Sequence, residues 1–151
     1  MPHLVILYTP DLDLPAEQGG SDMGALCRAL ASTLCAQVDE AGKPVFPTGG
    51  VRVLAYPAAH CAVADGGAAG HAAGGGAGYA FVYLNLRMGR GRTAATHMAV
   101  GRALEAVAQA HFAALLASHH IGITLQIDEG LEVFDARHSS IHPLFQRPAN
   151  G

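Results

Sequence analysis

The sequence predicts an α+β fold in which two βαβ units form a four-stranded mixed sheet with two helices on one face. The pattern strand, helix, strand occurs twice along the 151 residues, and a connection rich in glycine and alanine separates the two occurrences. Half of the residues are apolar, which is enough for a substantial core. We therefore expect a single domain over residues 1–151, with the two units at 2–57 and 79–128, the connection at 58–78 and a C-terminal extension at 129–151.

The first unit opens on a strand directly behind the initiator methionine. In the segment Met1–Thr9, Pro2 precedes a strand-like apolar run. A loop rich in proline and glycine follows, and Ser21 or Asp22 is placed to cap a helix. The apolar residues of that helix recur at the spacing i, i+3, i+4, i+7, and they are Met23, Leu26, Cys27, Leu30, Leu34 and Val38.

A second short strand completes the first unit. Val51–Tyr56 has strand composition and ends at Pro57, and Arg52 faces the opposite side from Val51 and Val53. An arginine in such a position is either exposed at a sheet edge or directed into a pocket. The connection at residues 58–78 consists mostly of alanine and glycine, which predicts a flexible loop.

The second unit contains the strongest strand of the sequence, from Tyr79 to Arg87. After a glycine-containing turn, Thr93 is placed to cap a long helix that extends to about His119. Gly122–Asp128 predicts the last strand. Both faces of the strand at 79–87 look covered, with Ala80, Val82, Leu84 and Leu86 on one and Tyr79, Phe81, Tyr83 and Asn85 on the other. In the extension, Val133–Phe134 and Ile141–Phe145 are candidates for an edge strand on a neighbouring subunit.

The aromatic face of the strand at 79–87 is expected to be covered by another subunit or by a ligand. If helices cover one side of the sheet, Tyr79, Phe81 and Tyr83 lie open on the other, so either another subunit covers them or they bind a ligand. The low charged fraction of 14% favours an oligomer. Nucleic-acid binding stays open as an alternative, because Ala77–Leu84 approaches the RNP1 consensus of RNA-recognition motifs. The net charge of −3 and the single lysine, Lys43, speak against nucleic acid as a partner.

Several classes of site lack support in the sequence. No apolar run approaches the roughly 18–20 residues of a membrane span and no basic segment precedes one at the start, so we expect a cytoplasmic protein without a membrane partner. The three cysteines and nine histidines form no CxxC or HExxH pattern, so no metal is expected. Neither of the common glycine-rich nucleotide motifs occurs, so no nucleotide cofactor is expected.

Pro2 is the first candidate for catalysis. If Met1 is removed, which the small second residue permits, the proline nitrogen becomes a secondary amine at the chain terminus. A free α-amino group has a pKa of roughly 7.7–8.0, and burial or neighbouring cations lower it, so this nitrogen suits a general base at neutral pH. The alternative is a structural role, because proline is tolerated at the first residue of a strand.

Arg52 and Arg92 are the candidates for holding an anionic substrate. Arg92 lies in the turn Gly89–Thr93, at a predicted helix start where backbone N–H groups point outward and favour a carboxylate. The alternatives are a solvated side chain in a glycine turn for Arg92 and an exposed edge position for Arg52. Cations near a neutral amine both hold an anion and keep the amine unprotonated, which joins the arginines to Pro2 in one hypothesis.

Several features follow one another in order along nearly the whole chain: the start Met1–His3, the doubled βαβ plan, Tyr79–Val82 with Gly89–Thr93 behind it, His111–Leu115 and the ending His142–Phe145. Together they resemble the 5-carboxymethyl-2-hydroxymuconate isomerase family of the tautomerase superfamily. The resemblance implies a tautomerase-like fold and a homotrimer in which neighbouring subunits cover the open face of each sheet. It also implies that an amino-terminal proline is the base and that two arginines bind carboxylates, and these match Pro2, Arg52 and Arg92.

The activity that the resemblance implies is that of a cofactor-independent isomerase. The substrate would be a 2-hydroxydienoate such as 5-carboxymethyl-2-hydroxymuconate, which is converted to the 2-oxo-enoate in the catabolism of aromatic compounds. Pro2 would move the proton only in a chain from which Met1 has been removed. Two alternatives stay open, namely a tautomerase of another enol acid, such as an arylpyruvate, and a non-catalytic trimeric binding or scaffold protein of the same fold.

Overall fold

The computed structural model describes residues 2–74, 78–136 and 138–145. They form one four-stranded sheet with the order β2-β1-β3-β4. The two outer pairs, β1 with β2 and β3 with β4, are parallel, while the central pair is antiparallel. This confirms the predicted mixed sheet. The strands are β1 (His3–Tyr8), β2 (Arg52–Pro57), β3 (Ala80–Met88) and β4 (Ile121–Glu129).

The main helices pack on the same side of the sheet, as predicted. Asp22 is the residue that caps the first helix, since its carboxylate accepts a hydrogen bond of 2.7 Å from the N–H of Ala25. Thr93 caps the third, accepting from the N–H of Thr96 at 3.1 Å. Among the described residues, none of the helices is long and apolar enough to cross a bilayer. The helices are α1 (Met23–Cys35), α2 (Ala68–Ala72), α3 (Ala94–His111) and α4 (Ala113–Ser118).

The core lies between these helices and one face of the sheet. The apolar face of α1 enters it as predicted, except that Val38 lies beyond the end of the helix and is exposed. Period-2 alternation places every second residue of β1 and β3 against the helices. The other residues of these strands, together with the residues of β2 and β4 in register with them, form the opposite side, which we call the open face. The fully or almost fully buried side chains of the core include Leu4, Ile6, Leu26, Leu30, Leu34, Val82, Leu84, Leu86, Val100, Leu104 and Phe112.

The prediction of one continuous helix from Thr93 to His119 is wrong. The backbone leaves the helical conformation at Phe112, which has φ −95° and ψ 9°, and α4 begins at the next residue. Phe112 is buried, and its ring lies edge-on to the ring of His111 at 4.8 Å. The apolar period continues through the break, so both helices still present their apolar side to the core.

The prediction that residues 58–78 form only a flexible loop is also wrong in part. Residues 75–77 lie outside the described residues, but α2 forms within the segment. The carboxylate of Asp65 accepts hydrogen bonds from the N–H groups of Gly67 at 3.1 Å and Ala69 at 3.0 Å, which organises the start of this helix. These bonds also lower the pKa of Asp65, with the bond from Ala69 as the largest cause.

Tyr79 is not left open to a neighbouring subunit as predicted, because it contacts α2 within the same chain. It precedes β3, and its hydroxyl accepts a hydrogen bond of 3.1 Å from the N–H of Gly70 in α2. Its ring lies edge-on to that of His120 at 5.9 Å. Gly70 permits this contact, because a β-carbon there would lie 2.7 Å from His120 and 2.9 Å from Tyr79.

Beyond Glu129, the last residue of β4, the described part of the C-terminal extension contains no strand. Val133 and Phe134 are exposed, so pairing of this segment with a neighbouring subunit stays a prediction. The last described residues, His142–Phe145, form a 3-10 turn that packs on another 3-10 turn, Thr48–Gly50, directly before β2. That the whole chain forms one domain also stays a prediction.

Candidate active site

Pro2 and Arg52 lie at the same end of the sheet. Because β1 and β2 are parallel to each other and antiparallel to β3, the first residues of β1 and β2 lie beside the last residues of β3. Pro2 is buried directly before β1, and its carbonyl accepts a hydrogen bond of 3.3 Å from the backbone N–H of Arg52. The strand ladder therefore holds the two predicted residues next to each other.

The side chain of Arg52 is held by the turn that precedes β2. Its Nη1 atom donates to the carbonyl oxygens of Gly49, at 3.0 Å, and Val51, at 2.7 Å. Within the described residues, these are the hydrogen bonds that its guanidinium makes, so Nη2 stays available to an acceptor from outside. The side chain is half-buried on the open face, which confirms that it points away from Val53 and the helices.

Arg92 lies at the same end of the sheet, in the turn between β3 and α3. Its Nη1 atom donates to the carbonyl of Gly89 at 2.7 Å, and its Nη2 atom donates to that of Val45 at 2.8 Å. The guanidinium also lies over the ring of Phe46, 5.2 Å from its centroid. Arg92 is therefore not the solvated side chain of the alternative interpretation, because its guanidinium ties the turn to the segment before β2.

The start of α3 already holds a carboxylate of this chain. Glu40 accepts hydrogen bonds from the hydroxyl of Thr93 and, at 2.9 Å, from that of Thr96. The bond from Thr93 is the largest cause that holds the pKa of Glu40 below its usual value. A substrate carboxylate at Arg92 would therefore approach the guanidinium rather than the first turn of α3.

Two further basic residues, His3 and Arg87, lie beside Pro2 at positions for which the sequence predicted no role. His3 is paired in register with Arg52 on one side and with Arg87 on the other, so the three side chains share the open face. Partial burial and the nearby positive charges, among them Arg52 and Arg87, lower the pKa of His3. The signal that could have found Arg87 is the strand alternation, which places it on the face of Tyr83 and Asn85.

Two cavities among the described residues lie away from Pro2, Arg52 and Arg92. One of them, of about 640 Å³, lies between α3 and β4 on the helix side of the sheet, and it includes His97 and Glu129. A second, of about 310 Å³, includes Asp11, His119 and His120 near the opposite end of the sheet. Among the described residues, no group of three or more histidine, cysteine, aspartate or glutamate side chains is placed to hold a metal ion.

The sheet end thus brings together the buried Pro2 and the cationic side chains of Arg52, Arg87 and Arg92. Comparison with known proteins shows the family to which the chain is related. The family model for 5-carboxymethyl-2-hydroxymuconate isomerase matches residues 2–145. A 5-carboxymethyl-2-hydroxymuconate Delta-isomerase of Escherichia coli is 25% identical over 146 residues, covering 97% of this chain and 100% of the relative.

Solved structures are similar along the whole chain. One crystal structure of a 5-carboxymethyl-2-hydroxymuconate delta-isomerase is 51% identical, with a TM-score of 0.91 and coverage of 99% of this chain and 96% of that one. The 5-carboxymethyl-2-hydroxymuconate isomerase of Deinococcus radiodurans R1 is 31% identical, with a TM-score of 0.77 and coverage of 97% and 95%. Fold and relatives together define the protein as an isomerase. Within this class, the chain belongs to the 5-carboxymethyl-2-hydroxymuconate isomerase family.

Proposed function

We propose that the protein isomerises a 2-hydroxydienoate, such as 5-carboxymethyl-2-hydroxymuconate, to the 2-oxo-enoate, with Pro2 as the general base. The observation that carries the proposal is the position of Pro2, which is buried at the start of β1 and hydrogen-bonded through its carbonyl to the backbone of Arg52 at 3.3 Å. Removal of Met1 is a condition of the mechanism, because only a terminal proline has a basic nitrogen.

The reaction needs one group that first accepts and then donates a proton. The Pro2 nitrogen takes the proton from the 2-hydroxyl group, and the electron pair of that O–H bond forms the 2-oxo group. The conjugated double bonds shift, and the same nitrogen returns the proton to a carbon of the chain, so atoms and electrons balance without a cofactor. A base of this kind contributes about 10²–10⁴-fold to the rate. Positioning of the substrate supplies the remainder.

The arginines hold the carboxylates and favour the build-up of negative charge on the oxygen. Arg52 offers Nη2 to a carboxylate while Nη1 stays on the carbonyls of Gly49 and Val51. Arg92 adds a second positive charge from the turn after β3, where its two terminal nitrogens are held by carbonyls. Positive charge close to Pro2 also lowers the pKa of its amine, which keeps more of the base unprotonated at neutral pH.

The functional assembly is a homotrimer in which neighbouring copies cover the open face. That face presents Leu7, Leu54 and Tyr56, each close to half exposed, in addition to the half-buried Phe81 and Tyr83. An apolar surface of this kind on a single chain marks a protein–protein interface. The number of copies comes from the family resemblance, and the identity of the face comes from the strand register.

The test is turnover of a small panel of 2-hydroxydienoates and arylenol pyruvates, followed by ultraviolet absorbance, with wild type and Pro2→Ala. The variant keeps a terminal amine but changes its geometry and basicity, so we expect kcat to fall at least about 10²-fold, in line with the contribution of a positioned base. Intact mass establishes beforehand that Met1 is absent from both proteins.

Pro10→Ala is the matched control, because Pro10 is exposed and lies beyond the far end of β1. We expect it to keep wild-type turnover. A Pro2→Ala protein with wild-type kcat on its best substrate would contradict Pro2 as the base. Turnover restricted to arylenol pyruvates would contradict the proposed substrate class and support the other enol-acid tautomerase.

A further inference from the structure

The C-terminal turn His142–Phe145 packs against the turn that holds Arg52. The contact centres on Gly49, whose lack of a side chain allows a close approach. A β-carbon on Gly49 would lie 3.0 Å from the α-carbon of His142 and 3.0 Å from Cδ2 of Phe145. Gly49 is buried, although Phe145 itself is 56% exposed. The two turns are therefore in direct contact although they are far apart in sequence.

Gly49 is also one of the two residues whose carbonyls hold the Arg52 side chain. Its carbonyl accepts from Nη1 of Arg52 at 3.0 Å. Two backbone hydrogen bonds close the turn around it, from the N–H of Gly50 to Pro47 at 2.8 Å and from that of Val51 to Thr48 at 3.2 Å. A short contact path thus leads from Phe145 through Gly49 to the guanidinium of Arg52.

We propose that Phe145 is a positioning residue for substrate binding, because its packing on Gly49 fixes the carbonyl that orients Arg52. This inference rests on the proposed function only in its kinetic consequence. A guanidinium that is already held in one orientation loses less conformational freedom when it binds a carboxylate. Loosening the Gly49 turn therefore weakens substrate binding, while the base at Pro2 is left in place.

The kinetic test compares Phe145→Ala with Leu144→Ala. Leu144 is the adjacent residue of the same turn and is 77% exposed, so its truncation removes a similar apolar side chain away from Gly49. We expect Phe145→Ala to raise KM about 2- to 12-fold, the range that corresponds to ordering one side chain, with kcat nearly unchanged. Leu144→Ala should keep the wild-type KM.

A double-mutant cycle with Arg52→Ala separates positioning from a general structural effect. If Phe145 acts through Arg52, then Phe145→Ala changes kcat/KM in the wild-type background but has little further effect when Arg52 is absent. Equal effects in both backgrounds would overturn the proposal, as would an unchanged KM in Phe145→Ala. Gly49→Ala provides a second variant, since the added methyl group displaces the C-terminal turn without changing Phe145.

A measurement that does not depend on activity keeps this inference distinct from the proposed function. The Nε–H signals of arginine in proton–nitrogen NMR spectra report how firmly each guanidinium is held, and Arg52→Lys assigns the signal of Arg52. We expect that signal to move toward the position of free arginine in Phe145→Ala and Gly49→Ala but not in Leu144→Ala. An unmoved signal would overturn the positioning role even if the isomerase activity is confirmed, and a moved signal would support it even if no substrate is turned over.

Discussion

The two arginines at the candidate site differ in how much of each guanidinium the protein itself uses. Among the described residues, Arg52 donates hydrogen bonds from Nη1 to two carbonyls and none from Nη2. Arg92 donates from both terminal nitrogens, to the carbonyls of Gly89 and Val45, and its guanidinium also lies over the ring of Phe46. A side chain with an unused terminal nitrogen is the better partner for a substrate carboxylate. We therefore expect Arg92 to contribute to stability in addition to the binding role proposed for it.

Lysine substitutions separate these two roles. In Arg52→Lys, the ammonium cannot donate hydrogen bonds to both carbonyls and to a carboxylate in the same geometry. We therefore expect kcat/KM to fall about 10- to 100-fold, while the free energy of unfolding stays almost unchanged. Arg92→Lys leaves a carbonyl without its donor and should lower the free energy of unfolding by about 1–3 kcal/mol. Steady-state kinetics and urea unfolding of both variants measure the two effects. Equal destabilisation by both substitutions would contradict the distinction.

The sequence identified these arginines but not the atoms that hold them. Strand alternation assigned Arg52 to the face opposite Val53, because the period of a strand is local and is read directly from neighbouring residues. The acceptors of both arginines are backbone carbonyls, which every residue carries, and only the folded chain brings Val45 close to Arg92. For the same reason, the contact of Phe145 with Gly49 has no sequence signal beyond the glycine itself.

At the level of elements, local signals predicted the strands and the helix starts, and tertiary contacts decided the remainder. Thr93, and either Ser21 or Asp22, could be predicted as caps because a cap side chain bonds within the next three residues, and the structure selects Asp22 of the pair. The break at Phe112 was missed because the apolar period of α3 continues unchanged into α4. The helix α2 was missed because it depends on Asp65 and on a contact with Tyr79, neither of which alters an alanine- and glycine-rich composition.

A partly buried histidine at the end of α3 makes stability depend on pH. Ser21, just before α1, and His111, at the end of α3, are joined by a contact of 2.7 Å between Oγ and Nε2. Burial lowers the pKa of His111, and the charge of Asp22 opposes this shift. The unfolded chain therefore binds a proton more readily than the folded one, and protonation favours unfolding.

We therefore expect the free energy of unfolding to be greatest above the ordinary histidine pKa of about 6.5 and to fall as the pH drops below it. Urea unfolding between neutral and mildly acidic pH measures this slope. His111→Gln should reduce it, and the double variant with His3→Gln should reduce it further, because burial also lowers the pKa of His3. A slope that is the same in wild type and His111→Gln would contradict the assignment.

At the scale of the whole molecule, the main feature is that a single chain leaves apolar side chains of the open face exposed to solvent. The helices cover the other side of the sheet, while the open face carries apolar side chains around its centre and hydrogen-bonded polar pairs toward β4. The hydroxyl of Tyr83 donates to Gln126 at 2.7 Å, and the amide of Asn85 donates to Asp128 at 2.8 Å. The apolar part of the face is thus the surface through which we expect the copies of the proposed trimer to contact one another.

Substitution of Leu7 tests whether the open face is the subunit interface, and Leu116 on the opposite side of the molecule is the control. It lies at the centre of the open face, in register with Tyr56 and Tyr83, and is 47% exposed, while Leu116 in α4 is 46% exposed on the helix side. We expect Leu7→Lys to dissociate the proposed homotrimer into folded chains of 15.5 kDa, because the interface would have to bury an unpaired ammonium group. Leu116→Lys should stay trimeric. Light scattering after size-exclusion chromatography measures both masses, and a trimeric Leu7→Lys protein would show that the subunits meet through another surface.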